Sequence, residues 1–292
     1  MTDLTKQDST PRLLPFLKWP GGKRWLAPLL RAIMVRELTG TYYEPFVGAG
    51  AVFLQLRPER SVLSDTNSDL IHFFNVVRTR PEEVVRAVWQ CSNTAECYAR
   101  VRRRVPRSDV GRAARFLFLN RTCWGGIYRT NKVGEFNVPF GDSGRRLCSL
   151  QHVIDVSAVY SNAALAVQDF ESGFRCAKSG DAIYADPPYT GKGENNGFVR
   201  YNEKLFSWSD QVRLARECRS AKQRGVFVAV SGLRHDELLS LYSGWWVLKL
   251  SRHSTVSREL ASRRQITEVA IFSRKPKELP MQLRQKLKRI KT

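Results

Sequence analysis

Acidic residues are in short supply. Asp and Glu number 27 against 48 Lys and Arg over 292 residues, leaving a formal net charge of +21. A surplus of that size points to a polyanionic partner, nucleic acid first. A membrane surface comes second, and neither a long amphipathic basic helix nor a lipidation signal supports it. Histidine is scarcer still: His72, His152, His235 and His253 are scattered, with no Asp or Glu cluster beside them, so no metal site is expected. The six cysteines (Cys91, Cys97, Cys123, Cys148, Cys176 and Cys218) form no C-x-x-C pair and no dense framework, the pattern of reduced thiols in a cytosolic protein. Met1 to Asp8 lacks the apolar core of a secretion signal, and no window reaches membrane-spanning length. A soluble, cytoplasmic protein without repeats is expected. Its 42% hydrophobic and 11% aromatic content suits a globular chain, long enough for one domain with an insertion or for two domains.

One stretch gathers the chemistry: Asp181-Ala-Ile-Tyr-Ala-Asp-Pro-Pro-Tyr189. Ala182 to Ala185 reads as a short buried strand that delivers Asp186 into a turn stiffened by two prolines. Pro187 and Pro188 have no N–H to donate, so the corner is rich in acceptors, with Tyr189 as an aromatic plate beside it. An exocyclic amino group on a planar base needs such a site, with two acceptors for its hydrogens and a ring to lie against. Taken alone, Asp-Pro-Pro reads more readily as an ordinary turn after a strand, and the apolar strand before it and Tyr189 after it bring the two readings level.

Upstream, Phe16-Leu-Lys-Trp-Pro-Gly-Gly-Lys23 opens an apolar helical run from Trp25 to about Leu38. Backbone N–H groups and the Lys23 ammonium could there meet an anionic ligand group; equally, this is a helix start with an exposed lysine. A β-rich segment from Thr41 runs into Gly48-x-Gly50 and a short helix, Ala51 to Leu56. That is the first turn of a nucleotide-binding unit, but Phe53 stands where a dinucleotide fingerprint has its third glycine. A phosphate-free adenosine ligand suits this turn better than a pyrophosphate. Ser61 to Asp65 reads as the second strand, and Asp65, 17 residues beyond Gly48, stands where such units hold ribose hydroxyls, unless it or Asn67 caps the next helix.

Helical patterns follow: Ile71 to Val77, Glu82 to Trp89, and Ala95 to Val105 behind a capping-box-like Asn93…Glu96. Arg100, Arg102, Arg103, Arg104, Arg107, Arg112 and Arg115 crowd this region and suggest a phosphate-facing surface. Asn120 to Phe140, with paired glycines and Asn131-Lys-Val-Gly134, suggests a β-hairpin or extended loop carrying Trp124, Ile127, Tyr128, Arg129 and Lys132. Wedging groups beside a guanidinium are what opening a base step and reading a base edge require, whereas a purely structural hairpin would leave its apolar side chains without an evident core. Strands are then expected at Leu165 to Val167 and Val226 to Val230, with an antiparallel pair at Trp245 to Leu250 and Ile266 to Phe272. A helix is expected from Asp210 to Arg224, stopped by Gly225. Gly191 to Asn196 is a lid candidate, Arg252 to Arg264 a basic loop, and the tail from Arg274 is basic.

In this order the pieces closely resemble the Dam-type, α-class DNA adenine-N6 methyltransferases. The likeness is carried by Leu17-Lys-Trp-Pro-Gly-Gly-Lys23, Glu44-Pro-Phe-Val-Gly-Ala-Gly50, Ser64-Asp-Thr-Asn-Ser-Asp-Leu70, Asn120-Arg121, Gly134-Glu-Phe-Asn-Val-Pro-Phe-Gly141 and Asp186-Pro-Pro-Tyr189. The resemblance implies an α/β fold: a doubly wound, Rossmann-like sheet that uses S-adenosyl-L-methionine, with an inserted, mostly helical target-recognition domain carrying a β-hairpin. The expected division is 11–70 with 161–274 as a discontinuous catalytic domain, 71–160 as the insert and 275–292 as a basic tail.

By position, the resemblance has Trp19, Lys23, Gly48, Gly50 and Asp186 line the donor site, Asp65 hold its ribose, and Asp169 and Phe170 flank its adenine ring. Asp186 and the Pro187 carbonyl would accept from the amino group of a flipped adenine, with Tyr189 stacked on the base. Lys18, Asn120, Arg121, Trp124, Ile127 and Arg129 would meet duplex DNA; Lys18 and the hairpin match members that act within GATC-like sites. Trp124-Gly125-Gly126 departs from the commoner Tyr-Asn-Gly. No metal is implied. The expected partner is double-stranded DNA in the cytoplasm, at the nucleoid, bound by a monomer, with a cognate restriction endonuclease as an option. Rival readings are a cytosine-N4 methyltransferase, which usually has Ser in place of Asp186, a protein-glutamine or RNA methyltransferase, which usually has Asn there, and a catalytically silent DNA-binding protein.

Overall fold

The computed structural model describes residues 13–131, 133–141, 148–189, 206–253 and 265–278. Lys132, the lid candidate at 191–196, most of the basic loop at 252–264 and the tail beyond residue 278 lie outside the described residues. The chain divides into two compact units. The first takes the described residues up to Pro28, Ala49–Arg57 and those of His72–Ser161; the second takes Leu29–Gly48, Pro58–Ile71 and the described residues from Asn162 on.

The second unit holds a seven-stranded sheet: β1 (Tyr42–Glu44), β2 (Ser61–Asp65), β3 (Ala163–Val167), β4 (Ala182–Ala185), β5 (Phe227–Leu233), β6 (Trp246–His253) and β7 (Gln265–Phe272), in the order β3-β2-β1-β4-β5-β7-β6. The first five are parallel, and β7 runs antiparallel to both β5 and β6. Successive side chains point to opposite faces of a strand. In β4 and β5 residues of both phases are buried: Ile183, Ala185, Val228 and Val230 on one side, Tyr184, Phe227 and Ala229 on the other. A parallel sheet buried on both faces is what continuous apolar runs of this kind produce. On the first side the core takes in Phe170 and Phe174, Leu214, Ala215, Cys218 and Ala221, and Leu238 and Tyr242. The order reverses between β1 and β4, and in open α/β sheets ligands bind outside the carboxyl ends of strands at such a switch point.

The described residues hold ten α-helices. Helix α1 (Ala27–Met34) is shorter than the expected Trp25 to Leu38, because residues 24–26 are spent in a turn on Lys23 and the C-terminal end frays into single turns. Helices α2 (Ala51–Leu56), α3 (Ser68–Val77) and α4 (Pro81–Trp89) fall where the periodicity puts them. Helix α5 (Ala95–Arg103) is capped by Thr94, whose hydroxyl accepts from Cys97 N, rather than by Asn93. Helix α6 (Asp109–Thr122) absorbs Asn120 and Arg121, and α7 (Leu150–Val159), α8 (Phe170–Cys176) and α10 (Asp236–Leu241) have no counterpart in the sequence reading. Helix α9 (Trp208–Gln223) starts with a capping box of Ser207 and Asp210 and is followed by Gly225 at φ 83°.

The first unit explains why N-terminal residues and α2 join the helical segment. Tyr160 packs against Phe53 at 4.9 Å and Phe74 at 4.6 Å between ring centroids, and Phe16 packs against Phe73 at 5.6 Å. Gly50, at φ 69°, has no room for a side chain, since a Cβ there would lie 2.1 Å from the Tyr160 hydroxyl. The segment after α6 is pinned by two isolated bridges, Cys123 to Phe140 and Thr130 to Phe136, instead of a continuous hairpin ladder. Its apolar side chains do find a core. Phe136 and Val138 are buried with Tyr98, Phe118 and Leu119, and the Tyr98 hydroxyl donates to Val138 O at 2.7 Å.

Candidate active site

In the second unit, β4 ends at Ala185 and places Asp186 at the switch point. Ser231, near the end of the neighbouring β5, donates its hydroxyl to Asp186 Oδ1 at 2.7 Å, and Tyr184 OH lies 2.8 Å from the same Ser231 oxygen. Tyr189 donates to Glu268 Oε2, on β7, at 2.5 Å. At the end of β1, Tyr42 OH donates to Glu44 Oε2 at 2.7 Å, in a buried pair. Burial, and then the charge of Asp186, drive the phenols of Tyr184 and Tyr189 well above their usual range, with Glu268 adding to both. Both hydroxyls therefore stay protonated and serve as donors at any physiological pH. The result is a corner of fixed negative charge with an aromatic ring beside it. It can hold a planar amine and stabilise positive charge developing on nitrogen.

Asp65 stands at the end of β2. Its Oδ1 accepts from Asn67 N at 3.0 Å and its Oδ2 from Gly48 N at 3.3 Å, so the carboxylate ties the Gly48 turn to the sheet. The cap of α3 is Asn67, which accepts from Leu70 N at 3.1 Å. Burial raises the Asp65 carboxyl above the ordinary aspartate range, while backbone N–H groups of Asn67, Gly48 and Thr66 pull the other way. Asp169 is the N-cap of α8, accepting from Glu171 N at 3.0 Å, and also accepts from Arg213 at 2.9 Å. Phe170 is core: its ring stacks on Phe46 at 5.5 Å, and the Arg213 guanidinium lies over it at 4.5 Å.

Trp19, Lys23 and Gly50 belong to the first unit. Trp19 O closes a turn by accepting from Gly22 N, and the buried Lys23 ammonium donates to Gly21 O at 2.7 Å. Asn120 is fully buried. Its Oδ1 accepts from Lys18 N at 2.9 Å, while its Nδ2 donates to Lys18 O at 2.7 Å and to Gly126 O at 3.2 Å. We read Asn120 as a clamp on Lys18, since its side chain is spent inside the fold. Lys18 Nζ donates to Arg121 O at 2.7 Å, and Arg121 donates to Phe16 O. Gly126 lets the two segments touch, because a Cβ there would lie 2.3 Å from Lys18 Cβ.

Trp124 is 46% exposed on a 3₁₀ turn (Trp124–Gly126), an uncommon place for an indole on a polar surface. Ile127 and Arg129 are half-buried beside it, and Arg129 Nε donates to Asn137 Oδ1 at 2.8 Å, which fixes the plane of the guanidinium. Within the basic cluster Arg115 has a structural job, donating to Val101 O and Arg102 O. Arg102, Arg103, Arg104, Arg107 and Arg112 are exposed.

Ser231, Tyr184 and Glu268 escaped the sequence reading. A carboxylate, Glu268, inside the expected strand Ile266 to Phe272 was the one available sign. Among the described residues no group of His, Cys, Asp or Glu could hold a metal, and no helix is long and apolar enough to cross a membrane.

Comparison with known proteins completes the picture. The family described as D12 class N6 adenine-specific DNA methyltransferase matches residues 19–261. Similar proteins include the type II methyltransferase M1.LlaDCHI of Lactococcus lactis subsp. cremoris, 33% identical over 277 residues, covering 91% of this chain and 97% of that protein. The DNA adenine methylase of Vibrio cholerae serotype O1 is 34% identical over 88% of this chain and 95% of its own length. That of Escherichia coli is 33% identical over 87% and 93%.

Proposed function

Given that the chain belongs to the D12 class N6 adenine-specific DNA methyltransferases and methylates adenine N6 in DNA, we propose that Asp186, Pro187 and Tyr189 are the residues that hold the target amino group. The observation that carries this reading is the Ser231-oriented Asp186 carboxylate at the switch point, with Tyr189 next to it. The adenine amino nitrogen is a poor nucleophile because its lone pair is delocalised into the ring. The Asp186 carboxylate and the Pro187 carbonyl accept its two hydrogens and draw the nitrogen towards tetrahedral geometry, while Tyr189 carries the base on its ring. Asp186 also balances the positive charge that builds on nitrogen. The base leaves the duplex to reach this corner, and exposed Trp124 is suited to filling the gap.

The family implies S-adenosyl-L-methionine, which when bound supplies a sulfonium methyl group. The residues fit such a donor: a turn with two left-handed glycines, a carboxylate at the end of β2 tied to that turn, and no third glycine for a pyrophosphate. Asp65 would accept from its ribose hydroxyls, with Gly48, Asp169 and Phe170 of the same unit as further contacts. Donor affinity is expected to hold steady at neutral pH and to fall as pH drops through the Asp65 titration. Burial places that titration above the ordinary aspartate range, and protonation turns an acceptor into a donor. Calorimetry across pH checks this; Asp65→Asn should bind more weakly and lose the acid limb, and an unchanged slope would assign the limb to another group.

For reading the sequence, Arg129, held by Asn137, would contact a guanine edge, a contact worth roughly 1–3 kcal/mol of discrimination. Exposed arginines of α5 and its neighbourhood meet phosphates, which strengthen binding without reading sequence. Arg129→Ala should relax preference at one base pair, measured as methylation rates over a library with each position varied. An equal loss at every site would make Arg129 a phosphate anchor. The activity itself is tested by sequencing plasmid DNA from expressing cells for modified bases. That also reveals the site a cognate endonuclease, part of the same proposal, would have to cut.

A further inference from the structure

Glu268 is a carboxylate 1% exposed in β7, a strand paired on both sides, opposite Leu233 of β5 and Leu250 of β6. Taking a carboxylate out of water into such a place is strongly unfavourable unless hydrogen bonds and nearby dipoles compensate, and an apolar side chain would serve the sheet better. Its described bond goes to the Tyr189 hydroxyl, 79 residues away in sequence, and links the turn after β4 to a strand two places across the sheet. Ser231 of β5, the strand between them, meanwhile holds Asp186.

We infer that Glu268 is a positioning residue for methyl transfer: by accepting from the Tyr189 hydroxyl it fixes the ring plate relative to the Asp186 carboxylate. The inference rests on the proposed role of the Asp186 corner. Two rigid props, Glu268 behind Tyr189 and Ser231 behind Asp186, set the two groups that a target base would touch. The ring then needs no reordering when a base arrives, which is where preorganisation lowers a barrier. The charge of Glu268 also helps keep the Tyr189 phenol protonated, so the prop persists at alkaline pH.

Glu268→Gln and Tyr189→Phe both keep volume and so keep the fold. The amide oxygen is a weaker acceptor than a carboxylate, and Phe has nothing to donate. Each is expected to lower kcat about tenfold with donor affinity unchanged, and the double variant to be no worse than either alone. A wild-type kcat in Glu268→Gln, or a double variant showing the product of the two losses, would overturn the inference. So would a change confined to donor affinity. Asp186→Ala measured alongside separates the layers. If it keeps its rate, the corner itself is misassigned; if it is dead while Glu268→Gln is fully active, only the role of Glu268 falls.

Discussion

Asp186→Ala is expected to cut kcat by at least about a hundredfold, close to 3 kcal/mol of transition-state stabilisation, while DNA affinity stays within about twofold. The loss is large because three contributions leave together. In the proposed role the carboxylate accepts one amino hydrogen and balances the charge that grows on nitrogen, and it anchors the Ser231 hydroxyl, which in turn pairs with Tyr184 OH. Removing it leaves the Ser231 and Tyr184 hydroxyls their existing 2.8 Å bond to each other, so the cavity stays polar and the sheet, buried on both faces, should hold. DNA affinity survives because the exposed arginines of the first unit are untouched. Asp186→Asn is the sharper variant: it keeps shape and an acceptor but no charge, and should fall between wild type and Ala. Single-turnover rates with labelled donor, set against DNA affinity by fluorescence anisotropy, report both. Near-normal turnover in Asp186→Ala would mean that the chemistry lies elsewhere.

Asn120→Ala should have the largest effect on stability. It removes three hydrogen bonds at once and leaves Lys18 N, Lys18 O and Gly126 O to find other partners. Unsatisfied buried groups cost about 1–3 kcal/mol each, and partial rescue by water makes about 3 kcal/mol a fair expectation for the set. The first unit should therefore unfold at clearly lower denaturant, seen by the fluorescence of its tryptophans. The change should also release Lys18, whose ammonium is seated on Arg121 O, so DNA affinity falls as a consequence. A variant that keeps its stability and loses only DNA recognition would return Asn120 to the role of a direct contact.

Local pattern was enough for much of this protein. The apolar run before Asp186, the prolines after it, the Gly48-x-Gly50 turn and the acid at the end of β2 each depend on neighbours within a few residues. The strands and the antiparallel pair at the C-terminal side fell close to their observed places, since strands buried on both faces read as continuous apolar runs. The same locality explains the errors. Asn120 and Arg121 were read as part of a loop because glycines follow them, yet they complete α6, and the clamp on Lys18 spans 102 residues.

Only the tertiary structure decided which groups answer one another across the sheet. Ser231 meets Asp186 and Glu268 meets Tyr189 because β4, β5 and β7 lie side by side in a particular register. Nothing near Ser231 or Glu268 in the chain announces that meeting. A one-residue slip of β7 would turn Glu268 to the opposite face, and the sequence pattern of a strand buried on both faces does not forbid it. The Asp186 corner was legible because its environment is local; its supports were not, because register is settled by the packing of the whole sheet.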